Sequence, residues 1–224
     1  MRIIENLPTQ GSDSPVKPVV IADCGELTGE EYDVADKKKA DSTGDNYEDF
    51  PEDARQSEDA ILPATQILKI ATDCKEFGNK AFKEGNVALG LEKYQKGLRW
   101  LNEDPDLEKE SAETKAALSQ IRFTLHTNSA MLQLKTKDYN SAVDSATRAL
   151  DYETISDQQK AKALYRRGCA QSQLKEETEA IKDLEEALKY APGDAAITKE
   201  LSTIQQAEKN RIAKEKKLYA NAFA

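Results

Sequence analysis

Three stretches of this chain carry the same pattern of small residues in register, and that register restricts the fold more than any other feature. With Gly78, Ala130 and Gly168 as anchors, the residues twelve positions on are Gly90, Ala142 and Ala180. Four further stand Tyr94, Ala146 and Leu184, and three beyond those Gly97, Ala149 and Ala187. From Ile67 onward apolar and small residues recur at helical spacing, so the repeating unit is a pair of helices that approach closely where side chains are small.

Two antiparallel helices in about 34 residues, with a small residue at the crossing, make the pattern of the tetratricopeptide repeat, or TPR. Pro192 stands at the terminal proline site of the third repeat. The expected fold is all-α: a three-repeat TPR superhelix over 63–192, with repeats at about 71–104, 123–156 and 161–194. Its anchors lie 52 and 38 residues apart, so the first repeat carries a long extension. The second helix of that repeat is expected to run past Trp100 and break at Glu103-Asp104-Pro105-Asp106, with a long helix from about Leu107 leading into repeat two. Asp194 is the expected N-cap of a long C-terminal capping helix, so that 193–224 hold this helix and a basic-aromatic tail.

Composition narrows the function classes. The net charge of −9 is local: Glu26 to Asp59 hold 13 acidic and 4 basic residues, which alone equals it. That stretch shows no helical or strand period, and 28–62 is expected to be an acidic disordered linker. The repeats are nearly neutral and lack the basic stripe of a nucleic-acid binder. No run approaches the roughly 18 consecutive apolar residues of a membrane span, and Met1 to Gln10 lacks a signal-peptide pattern, so a cytoplasmic address is expected. Cys24, Cys74 and Cys169 are far apart, without a CxxC pair and with a single histidine, His126, in the chain. Reduced, mostly buried thiols follow, with no metal, cofactor or nucleophilic role. His126 falls at a bulky packing site and is read as packed.

Stacked repeats present equivalent positions to one surface, so polar residues at matching offsets carry weight. Lys75 lies at −3 from its anchor, Asn79 at +1, Asn128 at −2, Lys162 at −6 and Arg166 at −2. At about 100° per residue these fall within one arc of roughly 100° on the first helix of each repeat, away from the packing face. The expectation is a concave wall of three cations and two amides with no acidic residue at the matching positions. Such a wall suits an anion with several acceptor oxygens, such as a chain-terminal carboxylate beside an Asp side chain.

Lys75-Glu76-Phe77-Gly78-Asn79, then Asn128, then Lys162-Ala163-Leu164-Tyr165-Arg166 resemble the carboxylate-clamp TPR domains. The resemblance implies binding to the Met-Glu-Glu-Val-Asp tail of heat-shock protein 90, or to the related tail of heat-shock protein 70. Lys75, Asn79, Asn128 and Lys162 would hold the terminal Asp carboxylates, and Arg166 an upstream group. Phe82, Met131 and Leu134 would form apolar pockets for Val and Met, although Phe82 and Leu134 fit inter-helix packing equally. A scaffold TPR domain with an internal ligand remains the alternative.

Arg2-Ile3-Ile4-Glu5-Asn6 and Val19-Val20-Ile21-Ala22-Asp23-Cys24-Gly25-Glu26-Leu27 resemble the last helix and closing strand of a cyclophilin, making 1–27 a remnant of that domain. Together with the linker, the clamp-type repeats and the tail Lys216-Lys217-Leu218-Tyr219 with Phe223, this resembles the large TPR-bearing cyclophilins of the forty-kilodalton, fungal-like type. The resemblance implies that the isomerase residues lie upstream of Met1. The chain is therefore expected to be a fragment or truncated product that is not an enzyme, with peptidyl-prolyl isomerase as the alternative if activity follows the parent family. The final helix, with Lys209, Arg211, Lys214, Lys216 and Lys217, also suits calmodulin or a membrane surface, but packing against repeat three is the stronger reading.

Overall fold

The computed structural model describes residues 7–11, 14–22, 24–25, 40–54, 62–102, 107, 110–152 and 155–222. The chain divides into two units, Met1–Lys39 and Ala40–Ala224. In the first, strands β1 (Thr9–Gln10) and β2 (Ser14–Pro15) pair antiparallel, with Thr9 opposite Pro15. The Val16 amide extends the ribbon by donating to the Pro8 carbonyl at 2.8 Å. Val19–Ala22, read from sequence as part of a closing strand, forms none, and Val20 and Ile21 are exposed. Arg2–Asn6, read as a helix, lie outside the described residues.

The second unit is helical. Its helices are α1 (Ala64–Lys83), α2 (Val87–Leu101), α3 (Ala112–Thr136), α4 (Tyr139–Leu150), α5 (Asp157–Gln173), α6 (Glu177–Tyr190) and α7 (Ala195–Ala222). They pack as the pairs α1/α2, α3/α4 and α5/α6, with α7 against α6. Each pair turns through a left-handed residue seven positions after its anchor: Gly85 (φ 84°), Lys137 (φ 63°) and Lys175 (φ 68°). At Asn86 and Asp138 the next residue caps the second helix, accepting from Leu89 N and Ser141 N. Only Gly85 adopts this conformation without a Cβ penalty.

Close crossing explains the small anchors. A Cβ on Gly78 would lie 2.4 Å from Tyr94 Cε1, and one on Gly168 would lie 3.0 Å from Leu184 Cγ. The core runs along the stack. Ile67, Cys74, Tyr94, Trp100 and Leu125 join repeats one and two, while Leu164 and Leu184 meet Ile197 and Ile204 of α7. Gly97 would set a Cβ 2.9 Å from Leu125 Cδ1, so α2 also packs tightly on α3.

Boundaries follow the caps. The helix expected from about Leu107 starts at Ala112, because the Ser111 side chain accepts from the Thr114 amide at 3.1 Å. The break at 103–106 lies outside the described residues. Asp194 Oδ1 accepts from the amides of Ala196 and Ile197 at the head of α7. The first part of α7 is packed, and from Lys209 to Lys216 every side chain is exposed. Arg211 there pairs with Glu177 and Glu215. Among the described residues no helix is long and apolar enough to cross a membrane.

The linker reading is corrected for residues 40–54, which fold onto the first repeat; 28–39 and 55–61 lie outside the described residues. Asp45 has a fully buried side chain and lies 2.6 Å from Lys93 Nζ and 2.7 Å from Lys96 Nζ, both themselves buried. Asp41 lies 2.5 Å from Lys93 Nζ. The Lys80 ammonium donates to the carbonyls of Ser42 and Thr43, and Trp100 Nε1 donates to that of Glu48 at 3.2 Å. The Tyr47 hydroxyl donates to Asp73 at 2.5 Å, and Arg99 lies over the Phe50 ring. Apolar period is therefore the wrong test for this segment, since ion pairs and backbone carbonyls seat it. The strap covers α1 and α2 along Lys93, Lys96 and Trp100, a stripe distinct from Gly90 and Gly97 that meet α3. A solenoid needs a cover at each end, and 40–54 supply it at the first repeat as α7 does at the third.

Candidate anion-binding groove

Arg166 sits on α5 with only 8 % of its surface exposed. Its guanidinium donates to the Thr127 carbonyl of α3, tying repeat three to repeat two one residue before Asn128. Among the described residues it has no carboxylate partner. Burial lowers its pKa to about 10, against a smaller opposing effect from Tyr94. One turn earlier on α5, Lys162 is exposed at its surface, and its pKa is also lowered, first by burial and then by the charge of Arg166. Two cations thus stand one turn apart on α5, with no carboxylate paired to either among the described residues.

On the repeat-one side the wall is anchored by Tyr94. Its hydroxyl, on α2, donates to Asn79 Oδ1 of α1 at 2.8 Å. Burial raises the Tyr94 pKa, as does the charge of Glu76, while Arg166 and a hydrogen bond from Asn128 oppose the rise. Asn79 is thus held by this phenol, and the charge of Arg166 reaches it from repeat three. Lys75 joins through Glu76: Lys75 Nζ lies 2.8 Å from Glu76 Oε1, and Asn79 Nδ2 donates to Glu76 Oε2 at 3.4 Å.

Glu76 overturns the expectation of an acid-free wall. It lies at −2 from Gly78, the offset shared by Asn128 and Arg166, and the register already placed it in the arc. The Lys75 hydrogen bond is the first cause of its lowered pKa, burial opposing. Its side chain is 60 % exposed, so it occupies the donors of Lys75 and Asn79 from the solvent side and can swing away from them. Tyr94 was legible only as a packing residue, since nothing in periodicity reports where a hydroxyl ends.

Phe82 and Met131 are half-buried and pack on the core cluster of repeats one and two; Lys135 lies over the Phe82 ring at 5.6 Å. Leu134 is half-buried on α3. A cavity of about 390 Å³ opens instead beside Lys162, between α5 and α7, lined by Gln158, Ala161, Tyr165, Asp194 and Ile197 among others. His126 stacks on Tyr152 with ring centroids 6.2 Å apart, and burial first, then Arg148 and Arg122, lower its pKa to about 4. Burial likewise pushes the Cys74 thiol up to about 12 and that of Cys169 to about 11. Among the described residues no cluster of three or more His, Cys, Asp or Glu could hold a metal.

Comparison with known proteins agrees with this architecture. The Tetratricopeptide repeat family pattern matches residues 161–194. The chain is 38 % identical over 230 residues to peptidyl-prolyl cis-trans isomerase D of Kluyveromyces lactis, covering all of this chain and 60 % of that protein. It is 39 % identical over 233 residues to the protein of the same name in Cryptococcus neoformans, covering 61 % of it. The chain therefore spans about three fifths of the length of these relatives. The C-terminal TPR-containing domain of a Plasmodium falciparum FK506-binding protein shares the fold, with a TM-score of 0.60 and 24 % identity over 68 % of this chain and 97 % of that one. The chain thus has the fold of a tetratricopeptide-repeat superhelix and, along its whole length, is similar to part of the proteins named peptidyl-prolyl cis-trans isomerase D.

Proposed function

We propose that this chain is a co-chaperone adaptor whose groove binds the C-terminal Glu-Glu-Val-Asp tail of cytoplasmic heat-shock protein 90 through Lys75, Asn79, Asn128, Lys162 and Arg166. One observation carries the reading: Arg166 is a buried guanidinium with no carboxylate partner among the described residues, beside a second cation that it destabilises. Unpaired buried charge is costly, so an incoming carboxylate removes a penalty as well as adding bonds. Each charge-assisted hydrogen bond contributes about 1.5–3 kcal/mol, less where exposed, which supports micromolar affinity for a short peptide. The amides of Asn79 and Asn128 fit beside the cations because a terminal Asp offers two carboxylates and a backbone.

The clamp resemblance supplies the partner's identity and favours heat-shock protein 90; heat-shock protein 70 shares the last four residues. Phe82, Met131 and Leu134 are assigned to the upstream Val and Met. Calorimetric titration of the full chain with Met-Glu-Glu-Val-Asp tests the reading. Micromolar binding lost in Lys162→Ala and Arg166→Ala is the expected result. No binding by the wild-type chain would send the reading back to a scaffold with an internal ligand.

A further inference from the structure

We infer that Tyr94 is a positioning residue of this groove, whose hydroxyl locks the Asn79 amide with its NH₂ toward the ligand and so makes the wall selective for a free carboxylate. The inference rests on the proposed clamp and deepens it.

An asparagine amide presents a donor at one end and an acceptor at the other, and nothing in its shape prevents it from turning over. In a site for a carboxylate the difference is decisive: NH₂ outward attracts the ligand, and C=O outward repels it. The Asn79 carbonyl oxygen is engaged from below by the Tyr94 hydroxyl at 2.8 Å. Its NH₂ is left on the other side, where Glu76, a carboxylate of the chain itself, lies at 3.4 Å. Glu76 thus marks where an anion sits relative to the amide. Tyr94 can hold this orientation because it is fixed itself: only 1 % of its surface is exposed, and its ring lies against the Cα of Gly78, where any Cβ would collide at 2.4 Å and 2.5 Å. The small anchor of repeat one therefore does more than admit a helix crossing. It lets an aromatic ring from α2 pass beneath α1 and deliver a hydroxyl to the back of the groove.

The hydroxyl belongs to one repeat. At the equivalent positions in repeats two and three stand Ala146 and Leu184, which carry no hydrogen-bonding group. This makes the hydroxyl a feature of repeat one alone and not a general requirement of the helix pair.

The test is Tyr94→Phe in the full chain, titrated with Met-Glu-Glu-Val-Asp and with its C-terminally amidated form. Loss of one oriented hydrogen bond is expected to weaken the free-acid peptide about three- to tenfold and to leave the amidated peptide within about twofold. The discrimination between the two peptides therefore falls. A loss of packing alone would weaken both alike. In an Asn79→Ala background Tyr94→Phe is expected to change neither affinity. Equal weakening of both peptides, or an undiminished effect in the Asn79→Ala background, overturns the inference. Absence of binding by the wild-type chain would instead overturn the clamp reading. Should Tyr94→Phe fail to keep the helical circular-dichroism spectrum, the wild-type chain is read by NMR. A Tyr94 hydroxyl proton in slow exchange that slows further on adding peptide supports the inference, and one in fast exchange throughout overturns it.

Discussion

Replacing Asp45 by Ala should destabilise the helical domain far more than its place in an acidic, aperiodic stretch implies. The side chain is fully buried and stands between two buried ammoniums, at 2.6 Å from Lys93 and 2.7 Å from Lys96. Without it Lys93 keeps Asp41 at 2.5 Å, but Lys96 is left with the Tyr47 carbonyl and with Asp49, a half-exposed carboxylate at 3.4 Å. Breaking a buried pair by removing one partner costs about 3–5 kcal/mol. For a unit of this size each kcal/mol moves the melting temperature by about 2–4 °C, so a fall of about 6–20 °C follows. Thermal unfolding followed by circular dichroism at 222 nm measures it. Lys96→Met added to Asp45→Ala should recover most of the loss, because the stranded buried charge goes with it. Asp49→Ala should cost less than about 1 kcal/mol, because this carboxylate is half-exposed and Lys96 keeps Asp45 at 2.7 Å. A melting temperature for Asp45→Ala within about 2 °C of wild type would refute the claim that 40–54 are part of the folded domain.

Glu76→Gln should tighten Met-Glu-Glu-Val-Asp binding by up to about fivefold, because it frees Lys75 and Asn79 from an exposed internal competitor; weaker binding would show Glu76 to be part of the ligand site. Acid should unfold the chain partly through His126. Its pKa in the fold is about 4 against about 6.5 unfolded, so the unfolded state binds the extra proton and stability falls as pH drops between those values, by up to about 3 kcal/mol. In urea unfolding at pH 7 and pH 4.5, His126→Gln should lose less between the two than wild type, and equal losses would contradict this.

The helix pairs were legible because their signal is local and repeated. Gly78, Gly97 and Gly168 stand where backbones meet, and no larger side chain fits without displacing Tyr94, Leu125 or Leu184. The polar arc was proposed on the same ground, since stacking converts a shared offset into a shared surface. The strap was not, because its order comes from pairing with distant lysines. A signal existed in α2, where Lys93, Lys96 and Trp100 form one stripe: two lysines beside a tryptophan that must be buried call for acids to cover them. Glu76 was readable from the register, since it shares its offset with Asn128 and Arg166. The role of the Tyr94 hydroxyl was not readable, since it depends on how far a ring reaches beneath the neighbouring helix.

The most direct measurement is the calorimetric affinity of the full chain for Met-Glu-Glu-Val-Asp against the same peptide amidated at its C-terminus. If the groove is a carboxylate clamp, amidation removes two or more charge-assisted bonds at buried donors and weakens a micromolar interaction by at least about thirtyfold. Equal affinity for the two peptides would contradict the clamp, and with it the assignment of Arg166 and Lys162 to a chain terminus.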